Sequence, residues 1–308
     1  GRQHIVWGEM VGLFFADVVS AKDMREFVLP DFDILRIPQW AVRTEYSKND
    51  FHADLIWIPF ASLDEIGRPG ADFYPFKLPV ATPVSFLKED RSGRNVAHSN
   101  YGIRLSQLAN GWDVSAFYYH SLDATPTFHR ISQPWEPLLF QARHGEIDQA
   151  GGTVTKDLGS VVLKGEFVYT HGRRFNVIRP TAADGLVRQD TIDYALGLDF
   201  TLPLDVRLNL QFFQRAYLNY DRDIFQDRLE NGGSIFLQGD LWRDFQGQIL
   251  LIHSFNRDEW MLRPRLTWNF ARNWKLAAGA DIFKGPPTGL FGRFDSSDRV
   301  YTELRFSF

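Results

Sequence analysis

The chain has 308 residues, of which 44% are hydrophobic, 15% are aromatic and 23% are charged, so it is neither a disordered chain nor a helical membrane protein. Its formal net charge of −4 argues against a nucleic-acid binder, which would be clearly basic. Cysteine is absent, which excludes disulfides, thiolate metal sites and cysteine nucleophiles in this chain.

The chain begins inside a strand-like pattern, and we predict a first strand over 2–8. No apolar run reaches the roughly 18–20 residues that a membrane-spanning helix needs. No positively charged region followed by an apolar stretch marks a signal peptide. The start is interpreted as a processed or trimmed end, with further sequence upstream.

Two long segments follow the early strands. Residues 9–35 are too apolar for an ordinary surface loop, and Ser20 could cap a short helix that begins near Ala21, with Asp23 supporting its first turn. Residues 61–98 form the longest connection and are rich in proline, glycine and phenylalanine. Loops this long in a compact structure are usually functional or disordered, and the aromatic content favours an ordered lid or plug.

Most of the chain alternates apolar and polar residues with period two, which is the pattern of a β-strand. Within 259–270, for example, Leu266 and Trp268 share one face while Arg263 and Arg265 share the other. The pattern predicts about fourteen strands, at 2–8, 36–47, 51–60, 100–108, 111–122, 139–157, 160–171, 191–202, 205–217, 233–242, 246–255, 259–270, 274–283 and 299–308.

Short and long connections alternate between these strands. Asn110-Gly111 is a favoured two-residue hairpin turn. Other tight turns are predicted at 48–50, 157–159, 202–205, 243–245 and 271–273. The connections between them are mostly longer and polar, at 61–98, 123–137, 171–190, 219–233, 256–258 and 284–299.

Aromatic residues concentrate near the ends of the predicted strands, as in the girdle of a transmembrane barrel. The last residue, Phe308, resembles the terminal phenylalanine that bacterial outer-membrane proteins present to the barrel assembly machinery. Because a sheet in a bilayer must close to pair its backbone groups, the sequence predicts a closed antiparallel transmembrane β-barrel over 1–308. Short periplasmic turns and long extracellular loops would place it in the outer membrane of a Gram-negative bacterium. The alternative is a soluble all-β domain whose last strand happens to end in phenylalanine.

Charged residues on the strand faces opposite the apolar ones would line the lumen of such a barrel. Basic and acidic members number nine each, so the lumen would be polar without a dominant sign. A solvated or mutually paired wall is the plainer interpretation, and a local basic stripe on the last strands is the alternative. The predicted lining residues are Arg43, Glu45, Asp54, Arg104, Asp113, Lys164, Glu166, Asp193, Asp199, Arg207, Arg215, Asp240, Arg263, Arg265, Lys275, Asp281, Glu303 and Arg305.

The segments 9–35 and 61–98 are predicted to fold towards the barrel axis and set the constriction, because their apolar content would be unfavourable in water. An apolar ring would consist of Phe14, Phe15, Phe73, Tyr74 and Phe76. Asp17, Asp23 and Arg25 would tie the segment 9–35 to the charged wall.

The opening residues carry a resemblance to a known family. Gly1, Gln3, Trp7, Gly8 and Glu9 match a Gly-x-Gln-x-x-x-Trp-Gly-Glu pattern. This resembles the opening motif of a proteobacterial outer-membrane barrel family of unknown function, over roughly the first 60 residues. The resemblance implies a porin-like barrel, strands upstream of Gly1, and for some members a connection with hydrophobic, sterol-like compounds. It implies no catalytic residues.

Little in the sequence supports an enzyme. His52 and Asp54 could orient a general base, but a satisfied polar wall is the plainer interpretation. Asp221, Asp223 and Asp227 could bind calcium, although their spacing lacks the glycine and the terminal glutamate of an EF-hand. No hydrolase, zinc-protease, phosphate-loop or dinucleotide motif is present. We therefore expect no enzymatic activity, no cofactor and no resident metal.

The sequence thus favours an outer-membrane channel for small, amphipathic or hydrophobic solutes. The alternatives are a structural sleeve for another envelope protein and, less favoured, an outer-membrane lipid hydrolase. The expected partners are outer-membrane lipid and lipopolysaccharide, the barrel assembly machinery, a small-molecule solute and an envelope protein, but no nucleic acid.

Overall fold

The computed structural model describes residues 1–308 except 9, 11–14, 31, 77–82, 134–135, 178 and 180. One four-residue helix, α1 (Phe32–Leu35), and three 3-10 turns, Val96–His98, Pro203–Asp205 and Gly292–Phe294, accompany the strands. The strands are β1 (Arg2–Gln3), β2 (Ala21–Lys22), β3 (Arg36–Ile37), β4 (Gln39–Trp40), β5 (Val42–Lys48), β6 (Phe51–Ile58), β7 (Val84–Asp90), β8 (Asn100–Ala109), β9 (Trp112–Leu122), β10 (Thr127–Arg130), β11 (Leu138–Arg143), β12 (Glu146–Asp157), β13 (Val161–His171), β14 (Arg174–Asn176), β15 (Leu186–Arg188), β16 (Asp190–Leu202), β17 (Val206–Leu218), β18 (Leu229–Trp242), β19 (Phe245–Ser254), β20 (Glu259–Ala271), β21 (Trp274–Lys284) and β22 (Arg299–Phe306).

Thirteen strands form one sheet, in the order β5, β6, β8, β9, β12, β13, β16, β17, β18, β19, β20, β21 and β22. The order follows the chain, so the sheet is a meander whose longer connections contain the remaining strands. The pairs β5–β6, β6–β8, β8–β9, β18–β19, β19–β20, β20–β21 and β21–β22 have a described register, and each is antiparallel. The fold is all-β, as predicted.

Each of the thirteen strands overlaps one of the predicted segments, but the predicted strand 2–8 is wrong. Only Arg2–Gln3 pairs, with β4, in a separate two-stranded sheet. The residues that follow pack as an inserted segment, in which Ile5 and Trp7 are both buried. The predicted strand 139–157 is two strands, β11 and β12, which belong to different sheets.

The connection 61–98 contains structure that the sequence pattern did not indicate. Its strand β7 pairs in parallel with β11, which in turn pairs with β10. The predicted helix near Ala21 is also wrong, because Ala21–Lys22 pairs with β3 instead. Ser20 donates its hydroxyl to the carbonyl of Ile5 at 2.8 Å rather than capping a helix.

The alternation of short and long connections is confirmed for the described residues. Asn110 and Gly111 have φ values of 51° and 74°, the left-handed backbone that a two-residue hairpin turn requires. The short connections join the strands at one end of the sheet. They are residues 49–50, 110–111, 158–160, 203–205, 243–244 and 272–273. The longer connections lie at the opposite end, since neighbouring strands of a meander run in opposite directions.

The chain divides into two compact units. Unit 1 comprises Gly1–Thr155, Gly165–Tyr194 and Arg215–Leu229, and unit 2 comprises Lys156–Lys164, Ala195–Gln214 and Glu230–Phe308. The main core of unit 1 contains Ile5, Trp7, Ala16, Val19, Ala41, Ile56, Ile58, Phe117, Tyr119 and Val168. Unit 2 buries Met261, Phe283, Phe291 and Phe294.

The two faces of the sheet differ in exposure. The exposed face carries large apolar side chains, whereas the exposed face of a sheet in a water-soluble protein is polar. In β9, Ser115, Phe117 and Tyr119 are buried, whereas Val114 and Tyr118 are 47% and 40% exposed. We call the face that carries the buried residues the inner face, and the other the outer face. The outer face presents exposed large apolar side chains on strand after strand, including Leu55, Trp57, Leu105, Phe167, Leu196, Phe212, Ile235, Ile249, Leu266, Leu276 and Leu304.

Candidate functional site

The inner face of unit 1 is covered by the N-terminal segment, defined as the described residues 4–8, 10 and 15–20. Trp7 is 1% exposed, and its indole N–H donates to Asp54 Oδ2 at 3.1 Å. Its ring lies 5.5 Å from that of Phe117 and 5.9 Å from that of Tyr119, centroid to centroid. Gly102 leaves room for it, because a Cβ there would come within 2.9 Å of the Trp7 ring. The segment therefore lies directly on the strand residues of this face.

A single buried carboxylate holds the same segment further along the chain. Glu166 of β13 accepts the backbone N–H of Met10 at 2.8 Å and that of Ala16 at 3.0 Å, one on each oxygen. Glu166 is 4% exposed, so these bonds are shielded from water. A carboxylate that binds two backbone N–H groups satisfies donors that would otherwise be buried without partners.

The prediction that Asp17, Asp23 and Arg25 connect the segment 9–35 to the charged lining residues is wrong. Asp17 forms an ion pair with Arg36 at 2.9 Å, and Asp23 forms one with Arg25, two residues away. The side-chain bond to Arg25 lowers the pKa of Asp23. Trp7 and Glu166 make the connection instead, because they are the groups that reach across from segment to strand.

The predicted apolar ring is not formed as proposed. Phe14 lies outside the described residues, and Phe15 is half-buried. Phe73 and Tyr74 are buried, and burial raises the pKa of Tyr74 to about 12. The ring contacts of Tyr74 and Phe76 are with the aromatic residues of the small sheet, Phe86, Phe128 and Phe140. Connection 61–98 therefore packs these rings into the core of the three-stranded sheet.

All the predicted lining residues lie on the inner face. In most strands each shares its alternation with the buried residues of that strand. In β5 and β22, which contain no buried residue, Arg43 and Glu45 lie opposite Ile56 and Asp54, and Glu303 and Arg305 lie opposite Ala277 and Lys275. In unit 1 most of them are paired. Arg43 donates from Nε and Nη2 to the two oxygens of Asp54, at 2.9 Å each, and its Nη2 also lies 2.8 Å from Glu45. Arg215 pairs with Asp193. Arg104 donates to the hydroxyl of Ser115 at 3.2 Å.

Unit 2 has two clusters in which one carboxylate lies between two arginines. Asp281 accepts from Arg263 at 2.8 Å and from Arg299 at 2.7 Å. Glu303 accepts from Arg265 at 2.9 Å and from Arg305 at 3.0 Å. The remaining predicted lining residues of this unit are Lys164, which pairs with Asp199, Asp240, which accepts from Gln246, and the exposed Arg207 and Lys275.

Sequence reasoning missed three features of the inner face. Trp7 belongs to the opening motif of the sequence, but no local pattern predicts that its indole is buried and bound to Asp54. Arg299 alternates with Glu303 and Arg305 and could have been included for that reason. The connection 285–298 also folds onto the strands, where Glu259 accepts the backbone N–H groups of Phe291 and Gly292.

The alternative sites considered from sequence are not assembled. Arg179 donates to Asp221 and to Asp223 at 2.7 Å, and the bond to Arg179 lowers the pKa of Asp221. A single guanidinium therefore already binds both of these carboxylates. His52 lies 2.8 Å from the hydroxyl of Ser47, while Asp54 is used by Trp7 and Arg43. Among the described residues, no group of three or more His, Asp or Glu could hold a metal ion.

Within the described part of the chain, no helix is long and apolar enough to cross a membrane.

Comparison with known proteins identifies the family to which this chain belongs. No curated protein matches the sequence. Twelve chains of solved structures match, and one of them is the outer-membrane expressed OmpT of Vibrio cholerae, with a TM-score of 0.44 and 9% identity. That match covers 88% of this chain and 78% of the other. The model of the DUF1302 family, described as a protein of unknown function, matches residues 1–221, so this chain belongs to that family.

Proposed function

We propose that this chain forms a closed β-barrel in the outer membrane and passes small solutes through its lumen. The observation that carries the proposal is the sidedness of the thirteen-stranded sheet. Exposed apolar side chains cover the outer face along the middle of the strands, where the charged side chains lie on the inner face. The charged residues of the outer face lie within three residues of a strand end; they are Lys48, Glu146, Asp148, Lys156, Asp190 and Lys284. Such a sheet fits a hydrocarbon environment outside and water inside.

The energetics favour this orientation strongly. An arginine or lysine on the lipid side costs about 2–4 kcal/mol near the bilayer midplane. All the cations predicted to line the lumen, from Arg43 to Arg305, lie on the inner face, so reversing the sheet would repeat that cost many times. A sheet in hydrocarbon must also pair its edge strands, since no water is present to bind their backbone groups. Closure of the sheet is therefore part of the proposal.

The outer face of unit 2 also carries a belt of aromatic rings beside the short turns. Trp268 lies 5.3 Å from Phe270, and Trp274 lies 4.7 Å from Phe306, centroid to centroid. Phe306 in turn lies 6.4 Å from Phe308. Rings at strand ends suit the interface between lipid and water, where one part of the side chain is apolar and the backbone beside it is wet.

Reconstitution of the purified chain into planar bilayers should give stepwise single-channel conductance. Heat-modifiable migration in a detergent gel would verify in the same preparation that the barrel has folded. A folded barrel that conducts no ions would contradict the channel and favour a structural sleeve, which copurification of a second envelope protein would then reveal.

Charge substitutions on opposite faces of the sheet test the membrane orientation. Leu266→Arg, on the outer face near the middle of β20, should cost about 2–4 kcal/mol of folding free energy in lipid. The matched control is Gln238→Arg on the inner face of β18, which should change the folding free energy little because it adds charge to a wet surface. Equilibrium unfolding in lipid vesicles measures both. Equal effects of the two substitutions would contradict the orientation.

A further inference from the structure

We propose that the inner face of β20, β21 and β22 is a binding stripe for small solutes that carry a carboxylate. This basic stripe consists of Arg263, Arg265, Lys275, Arg299 and Arg305, together with the carboxylates of Asp281 and Glu303. The inference rests on the proposed function, because it names the class of solute that would pass the lumen.

The first argument is the local balance of charge. The basic stripe holds five cations and two carboxylates, whereas the lining residues as a whole are nearly balanced. The only other acidic residue on the inner face of these three strands is Glu259, which binds the backbone N–H groups of Phe291 and Gly292. An excess of positive charge on a low-dielectric wall attracts anions and raises their local concentration.

The second argument is the register of the three strands. Lys275 lies opposite Arg305, Ala277 opposite Glu303, and Asp281 opposite Arg299. Arg265 lies opposite Gly279 on the other side of β21. The middle strand therefore contributes small residues between cations that extend from both neighbouring strands. The positive side chains of the stripe therefore lie side by side across three neighbouring strands.

The third argument is a gradient of exposure along the stripe. The side chain of Asp281 is fully buried, those of Arg263 and Arg265 are 16% and 18% exposed, and that of Arg305 is 48% exposed. Lys275, next to the turn 272–273, is exposed and has no partner among the described residues. Arg299, at the other end of the strands, is 32% exposed. The cations are therefore least accessible in the middle of the stripe and most accessible beside the short turns, where an anion would first meet them.

The fourth argument is the way in which the protein's own carboxylates are bound. Glu303 is held between Arg265 and Arg305 in the same manner as Asp281 between Arg263 and Arg299. Planar guanidinium groups suit planar carboxylates because they donate parallel hydrogen bonds. A solute carboxylate can exchange with Glu303 for this pair of arginines, whereas a neutral solute cannot.

Binding is tested with ¹³C-labelled acetate and the folded protein in detergent. Acetate should show line broadening with the natural sequence, and the broadening should fall severalfold in the double variant Lys275→Gln with Arg305→Gln. The single variant Lys275→Gln should show a smaller loss, and it removes no described contact, so folding is preserved. The matched control is Arg68→Gln, an exposed cation of the connection 61–98, which should leave the broadening unchanged. Equal broadening in all variants, or none with the natural sequence, would overturn the stripe.

Reversal potentials under a potassium chloride gradient separate this inference from the channel itself. The natural sequence should favour chloride over potassium, and Lys275→Gln should reduce that preference. A barrel that binds acetate without conducting would support the basic stripe and contradict the channel. A barrel that conducts but prefers potassium would contradict the basic stripe and support the channel.

Discussion

Replacing Asp54 by alanine is expected to destabilise the protein by about 3–5 kcal/mol, the cost of breaking a buried ion pair. The Asp54 carboxylate is 2% exposed and binds both Arg43 and the indole of Trp7. Its loss leaves the buried N–H group of Trp7 without its acceptor and leaves Arg43 with Glu45 as its remaining carboxylate. The free energy of unfolding in urea, measured with the protein in lipid vesicles, checks the value.

Two substitutions control for the role of Asp54. Asp54→Asn keeps an acceptor for Trp7 but loses the charge opposite Arg43. It should therefore lower the free energy of unfolding, but by less than Asp54→Ala does. Asp113→Ala removes an exposed inner-face carboxylate that has no partner among the described residues, and it should change stability by less than about 0.5 kcal/mol. If Asp54→Ala were as mild as Asp113→Ala, Asp54 would not anchor the segment.

Replacing Glu166 by alanine is expected to release the N-terminal segment from the inner face. Met10 and Ala16 would each retain a buried N–H group without an acceptor, at a cost of about 1–3 kcal/mol per group. The amides of these two residues should exchange with solvent much faster, as hydrogen exchange measured by mass spectrometry would show. Because the segment covers the inner face, single-channel conductance should also rise severalfold.

Glu166→Gln provides the graded comparison, since its remaining carbonyl oxygen can accept one of the two N–H groups. Arg25→Ala provides the negative control, because Arg25 is exposed and pairs with Asp23 within its own turn. Conductance that rises with Arg25→Ala but not with Glu166→Ala would contradict the assignment of Glu166 as the tether.

The sheet could be predicted from the sequence because its determinants are local. Alternation places Arg263 and Arg265 on one face and Leu266 and Trp268 on the other, whatever the strand pairs with. The same reasoning puts every predicted lining residue on the inner face. The turn at Asn110-Gly111 is specified by two adjacent residues, so it too could be predicted.

The covering of the inner face could not be predicted, because its contacts join distant parts of the chain. Trp7 and Asp54 are 47 residues apart, and Met10 and Glu166 are 156 residues apart. Neither partner carries a local signal for the other. The parallel pairing of β7 with β11 is of the same kind, since no short turn connects them. Periodicity indicates which face a residue takes, but not which segment comes to lie on it.

The six short turns have a consequence for the order in which the chain gains structure. They join twelve of the thirteen strands into six hairpins, each closed at little entropic cost because the turn is only two or three residues long. Strand β22 is the exception, since it reaches β21 only through the longer connection 285–298. Hairpins with local contacts form fastest, whereas a strand at the end of a long loop pairs more slowly. Strand β22, which carries one arginine of each pair in the basic stripe, therefore pairs with β21 in a slower step than the closing of the six hairpins.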